Sequence, residues 1–123
     1  MQSLQNNDSV NFAAFADVHE ARATEARKAN PAVPFVSDFR KMLDQHGKTI
    51  DGVIISTPDH THHFNAKTCM QAGKPVYLEK PLTHNIAEAR DLMTLEQQTK
   101  LACQMGNQGH SGGGILVLEE WVK

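Results

Sequence analysis

Apolar and polar positions fall into blocks along the chain, and the blocks switch between a strand period and a helix period. Val10-Asn-Phe-Ala-Ala-Phe-Ala-Asp17 is rich in β-forming residues and ends on an acid. Glu20 to Lys28 is rich in Ala, Glu and Arg without a breaker, which predicts a helix. Asn30-Pro31 stops it, because the residue before a proline is pushed out of the helical region. Phe35-Val36 reads as a short strand. Ser37 or Asp38 then caps a helix over Phe39 to Gln45, with Phe39, Met42 and Leu43 on one face and Gly47 at its end. Asp51-Gly-Val-Ile-Ile-Ser-Thr57 is a β-branched run without alternation, the pattern of a strand covered on both faces. Pro58 breaks it, and His62 to Ala72 reads as helix up to Gly73. Pro75-Val-Tyr-Leu-Glu-Lys80 is the next strand, closed by Pro81. Thr83 or Asn85 opens a helix with Ile86, Ala89, Leu92 and Met93 on one stripe. Leu101 to Met105 is a further strand, Gly106 to Gly114 a glycine-rich loop, and Ile115 to Trp121 the start of a last helix.

Strands separated by single helices imply βαβ units and a parallel sheet. The expected fold class is therefore α/β, a Rossmann-like doubly wound sheet. The chain shows no internal repeat, low-complexity tract, heptad pattern or linker, so residues 1–123 are expected to be one domain.

Composition changes this picture little. A net charge of −2 gives no basic field, so no nucleic-acid partner is expected. No apolar run approaches the ~20 residues needed to span a bilayer, so no membrane partner is expected. The first residues lack the charged and apolar regions of a signal peptide, which points to the cytoplasm, with a signal upstream of Met1 left open. Cys69 and Cys103 are too few for a disulfide framework and are expected to be reduced and at least partly buried.

In doubly wound sheets, ligands bind beyond the carboxyl ends of the strands. That rule selects Asp17, the Thr57-Pro-Asp-His-Thr-His62 turn, Glu79-Lys80-Pro81, and the Asn107-Gln-Gly-His110 loop. Asp17 can accept hydrogen bonds from adenosine ribose hydroxyls and repel a 2′-phosphate, or simply cap the helix that follows. The expected G-x-G-x-x-G lies about 20 residues before such an acid. No glycine occurs before Gly47, so the first strand and its glycine loop are expected to be absent from this chain.

Lys80 at a strand end can hydrogen-bond a substrate hydroxyl and stabilise developing alkoxide charge, or belong to a surface ion pair. The loop from Gly106 to Ser111 can admit a ligand close to its backbone, or be a mobile surface loop; it is not a P-loop. His60, His62 and His63 do not have zinc spacing, and no metal is expected. His62 is expected to point at the ligand edge, with His60 and His63 exposed.

Taken together, Phe15-Ala-Asp17-Val18, Asp51 to His62, Ala72-Gly-Lys-Pro-Val-Tyr-Leu-Glu-Lys-Pro-Leu82 and Gln104-Met-Gly-Asn-Gln-Gly-His110 resemble the glucose–fructose oxidoreductase / inositol dehydrogenase (Gfo/Idh/MocA) family, from about Val10 onward. The resemblance implies an NAD(P)-dependent oxidoreductase acting on a sugar, polyol or glycoside, with NAD favoured over NADP. It implies Asp17 at the ribose, and Thr57, Pro58 and His62 along the cofactor. Glu79 and Lys80 would lie near nicotinamide and substrate, and Asn107, Gln108 and His110 near cofactor or sugar. Lys80 is the expected catalytic residue. The last loop resembles a subgroup that includes retaining glycosidases using NAD transiently. The family also has a C-terminal substrate domain that often mediates oligomerisation, and the parent is expected to be a homo-oligomer. That domain is expected to be absent here, leaving a partial NAD(P)-binding domain inactive by itself. Three readings stand: an oxidoreductase domain, part of an NAD-dependent glycosidase, or a non-catalytic Rossmann-like binding module.

Overall fold

The computed structural model describes residues 8–122. The described chain divides between Asp51 and Gly52 into two compact units.

The first unit holds a parallel pair of two-residue strands, β1 (Phe15–Ala16) and β2 (Phe35–Val36), with Phe15 opposite Phe35 and Ala16 opposite Val36. The strand expected from Val10 to Asp17 shrinks to its last residues. Backbone bonds from Phe15 N to the Pro34 carbonyl (2.9 Å) and from Asp17 N to the Val36 carbonyl (3.2 Å) mark where a partner exists, and strand geometry persists only there. Glu20–Ala23 forms a 3₁₀ turn that becomes α1 (Thr24–Ala29). The helix α2 (Phe39–His46) begins at Asp38, not Ser37; the Asp38 carboxylate accepts from Arg40 N at 2.9 Å. Gly47 is the C-cap of α2, as expected, and a 3₁₀ turn, Gly47–Thr49, follows directly. Phe15, Ala23, Met42 and Ile50 are buried.

The second unit is a three-stranded parallel sheet in the order β3 (Val53–Ile55), β4 (Val76–Glu79), β5 (Cys103–Gly106). Helices α3 (His62–Gln71) and α4 (Ile86–Thr99) connect the strands in turn, and α5 (Gly113–Val122) follows β5. Strand side chains alternate between faces. The register aligns Ile55, Leu78 and Met105 on the face of Val53, Val76 and Cys103, and aligns Ile54, Tyr77 and Gln104 on the other. Helix α3 packs on β3, β4 and α4. The core is Ile55, Ala66, Cys69, Met70, Val76, Leu78 and Leu92.

Burying Cys69 among these residues pushes its thiol up to about 11, since the thiolate loses solvation. Gly73 stops α3 at φ 78°, a conformation open mainly to glycine. Asn85, not Thr83, caps α4 by accepting from Glu88 N at 3.0 Å.

Two expectations need correction. The strand β3 is covered on one face only: Ile54 is 49% and Tyr77 38% exposed. The helix α4 is rotated from the expected stripe. Leu92 is buried and Ala89 half-buried, but Ile86 and Met93 lie outside, 72% and 54% exposed. The neighbour selects the buried face, which here includes half-buried Glu88, Asp91, Leu95 and Thr99.

Candidate functional site

Asp17 directly follows β1. Its Oδ1 accepts from His19 N at 2.7 Å, a local turn bond that leaves Oδ2 without a partner among the described residues. The side chain does not cap the 3₁₀ turn at Glu20.

The other candidates belong to the second unit and follow β3, β4 and β5. After β3, the chain turns at Pro58 into a short 3₁₀ segment, Asp59–Thr61, before α3. Thr57, Pro58 and His60 are exposed. Around the Thr57 hydroxyl, Asn65 Nδ2 donates at 2.9 Å and Thr61 Oγ1 lies at 2.8 Å; Thr61 Oγ1 also donates to the Pro58 carbonyl at 2.7 Å. A hydroxyl has one proton. With that of Thr61 on Pro58, Thr57 donates to Thr61 while accepting from Asn65.

His62 lies at the strand-end edge but is enclosed there, with no surface presented to a ligand. Its side chain is 0% exposed, with Nδ1 2.6 Å from the Pro81 carbonyl oxygen and Nε2 2.9 Å from that of Thr57. His63 is not exposed either. It is half-buried between α3 and α4, with Nε2 2.7 Å from Asp91 Oδ2, which also accepts from Lys67 Nζ at 2.8 Å. The Lys67 ammonium first, and His63 second, hold the Asp91 carboxyl below the usual carboxylate range. The three histidines thus part company, and the described residues contain no cluster of three or more His, Cys, Asp or Glu able to hold a metal ion.

Glu79 ends β4, and Gln108 opens the 3₁₀ turn after β5. Gln108 Nε2 donates to both carboxylate oxygens of Glu79, at 2.9 and 2.7 Å. Lys80 is exposed and has no hydrogen bond or ion pair among the described residues. The peptide bond from Lys80 to Pro81 is cis. Asn107 precedes the 3₁₀ turn Gln108–Ser111, whose backbone closes from His110 N to the Asn107 carbonyl at 3.1 Å. Both Asn107 and His110 are exposed. Nothing lies within 4 Å of the position a Cβ would take at Gly109, so a ligand could reach the main chain there. At Gly106 the opposite holds: a Cβ would lie 2.5 Å from Tyr77 Oη, so glycine lets the tyrosine ring cross the end of β5.

Asn65, Tyr77 and Asp91 were not among the expected residues. Asn65 carried one legible signal. It shares with His62 the i, i+3, i+4, i+7, i+8 stripe of Ala66, Cys69 and Met70, a stripe whose first turn is polar.

A parallel sheet with helical crossovers and polar groups collected beyond its strand ends defines a Rossmann-type dinucleotide domain. The family model "Oxidoreductase family, NAD-binding Rossmann fold" (Gfo/Idh/MocA) matches residues 1–107, and the chain belongs to that family. The chain is 31% identical over 107 residues to the 4-carboxy-2-hydroxymuconate-6-semialdehyde dehydrogenase of Sphingobium sp., an alignment covering 87% of this chain and 33% of the relative. It is 33% identical over 125 residues to glycosyl hydrolase family 109 protein 1 of Shewanella sp. (strain ANA-3), covering 94% of this chain and 27% of the relative. Its fold superimposes on scyllo-inositol dehydrogenase from Lactobacillus casei, solved with NAD(H) and scyllo-inositol. The TM-score is 0.84 at 24% identity, over 98% of this chain and 36% of that one. The chain thus spans about a third of the length of these proteins. No helix among the described residues is long and apolar enough to cross a membrane.

Proposed function

We propose that this chain is the cofactor-side domain of an NAD-dependent oxidoreductase acting on a small polyol, sugar or glycoside, and that Lys80 is its catalytic residue. The observation carrying this reading is the exposed Lys80, unpaired among the described residues, beyond the carboxyl end of β4 and beside a Glu79 tied to the loop after β5. Lys80, Asn107, His110 and the open backbone at Gly109 fit one end of a nicotinamide dinucleotide and the substrate next to it. Bound NAD would supply the hydride acceptor. Lys80 Nζ would donate to the substrate hydroxyl and hold the charge developing on its oxygen, an interaction strongest in the transition state. Asp17 Oδ2 would accept from a ribose hydroxyl and disfavour a 2′-phosphate, so NAD is the proposed cofactor and NADP the weaker one. Assembly of the parent as a homo-oligomer and a cytoplasmic location belong to the same proposal.

The test is an NMR titration of this chain with NAD and, separately, NADP. The chain contains no glycine before Gly47 to form a pyrophosphate-binding turn, so the expected affinity is weak, with shifts at millimolar NAD centred on Lys80, Asn107 and Asp17 and smaller with NADP. No shift at these residues, or equal shifts with NADP, would overturn the reading. Saturable micromolar binding would show that the cofactor is held some other way.

The match to the Shewanella glycosyl hydrolase, which extends across the loop after β5, favours a second reading in which the parent cleaves glycosides with no net redox change. A full-length parent that releases sugar from a glycoside without accumulating NADH would decide for it.

A further inference from the structure

We infer that His62 and Gln108 are positioning residues forming a two-sided clamp on Lys80. The inference rests on the reading of Lys80 just given, but its geometry stands independently. Lys80 itself has no hydrogen bond or ion pair among the described residues, whereas both its chain neighbours are held. On one side, Gln108 Nε2, reaching from the loop after β5, donates to both oxygens of Glu79. On the other, His62 Nδ1 meets the Pro81 carbonyl at 2.6 Å.

The second ring nitrogen of His62 extends the clamp to a third place. Nε2 meets the carbonyl of Thr57, two residues beyond the end of β3, so one imidazole bridges the carboxyl ends of two adjacent parallel strands. Carbonyl oxygens only accept, so each contact requires an N–H: a neutral ring makes one, a doubly protonated ring both. The ring has no solvent-exposed surface left for a ligand. Asn65, one turn along α3, pins the Thr57 hydroxyl in the same region. The buried stripe of α3 therefore begins with two polar residues because its first turn meets main-chain carbonyls and a hydroxyl, while its later turns meet apolar side chains. A flexible lysine placed by these contacts keeps its ammonium free for a ligand while its backbone is fixed.

The experiment is backbone ¹⁵N relaxation of the whole chain without cofactor, comparing wild type with His62→Phe, His62→Gln, Gln108→Leu, Met70→Ala and Lys80→Ala. In the wild type, Glu79, Lys80 and Leu82 should show order parameters near ~0.85. His62→Phe, which keeps an aromatic ring but removes both ring nitrogens, should lower Lys80 and Leu82 below ~0.6, as should Gln108→Leu for Glu79 and Lys80. His62→Gln keeps an N–H donor and should restore much of the order. Met70→Ala destabilises the same helix without touching the clamp and should leave Lys80 ordered.

Unchanged order at Lys80 in both Gln108→Leu and a folded His62→Phe overturns the clamp. Should His62→Phe unfold, unchanged order at Glu79 and Lys80 in Gln108→Leu overturns it. The wild-type His62 ring should also show at least one slowly exchanging ring N–H in its ¹⁵N spectrum; none would remove the bridge. Lys80→Ala should leave Glu79 and Leu82 ordered, because the clamp does not depend on the ammonium. A chain whose clamp behaves as stated but whose Lys80 ignores NAD overturns the functional reading and leaves the clamp standing.

Discussion

The two units follow the same strand–helix–strand grammar with very different burial. In the first, β1 and β2 are two residues long, α1 has six residues without a buried one, and the buried apolar residues are Phe15, Ala23, Met42 and Ile50. In the second, a three-stranded sheet and two helices enclose Leu78, Met70, Cys69, Ala66 and Leu92 almost completely. The turns carrying most of the candidate chemistry belong to the second unit. Polar turns are held in place where a packed core fixes the elements on both sides of them, and buried polar contacts such as those of His62 are affordable only there. The Asp17 side chain, in the sparser unit, has only a local turn bond among the described residues.

The largest test of this contrast is truncation of the second core. Leu78→Ala on the central strand, which runs directly into Lys80, should cost about 2–5 kcal/mol and loosen the Lys80 turn and, through the His62 bridge, the Thr57 turn. Thermal melting followed by circular dichroism, with NMR of the second unit, would read it. A loss confined to β4 would break the link between core and turns. Thiol labelling comes next. With its thiol pushed up to about 11 by burial, native Cys69 should react at least ~10-fold more slowly at pH 8 than half-buried Cys103, and equally fast in denaturant. Comparable native rates would mean that the second unit opens as readily as its surface.

Removing a helix cap should cost less. Asn85→Ala should destabilise the second unit by about 1 kcal/mol and fray the first turn of α4, as measured by chemical denaturation. The smallest effect is the acid response of the first unit. Arg40, through its side chain and then its backbone N–H, lowers the Asp38 carboxyl to about 2 from 3.8. A depressed folded value means that the contribution is fully present above the unfolded value near 3.8 and is lost as pH falls through 2. Amide shifts of Arg40 and Lys41 should therefore titrate with a midpoint near 2. A midpoint near 4 would show that the cap does not form in solution.

Much of this was legible in the residues. Alternating strand and helix blocks, the stops at Pro31, Pro58 and Gly73, and the Glu79-Lys80-Pro81 end of β4 all follow from local chemistry and hold in the fold. The extent of β1, the exposed face of β3 and the rotation of α4 were not legible, because each depends on which neighbour is present to pair or pack. The same limit hid the enclosure of His62. A histidine at the start of a helix, beyond a strand, looks like a ligand-facing group until the carbonyls of Thr57 and Pro81 are seen to enclose it.

By itself, the sequence determined the class of fold, its family resemblance and the strand ends where chemistry gathers, since backbone preference and hydrophobic period are local properties. Only the tertiary structure decided which of those residues point outward and which hold the others. It turned His62 and Asn65 inward, joined Gln108 to Glu79 across 29 positions of chain, and left Lys80 without a hydrogen-bond or ion-pair partner among the described residues. These contacts span separations that no local pattern encodes, and a polar side chain's role is settled by the donor or acceptor that the fold brings within about 3 Å of it.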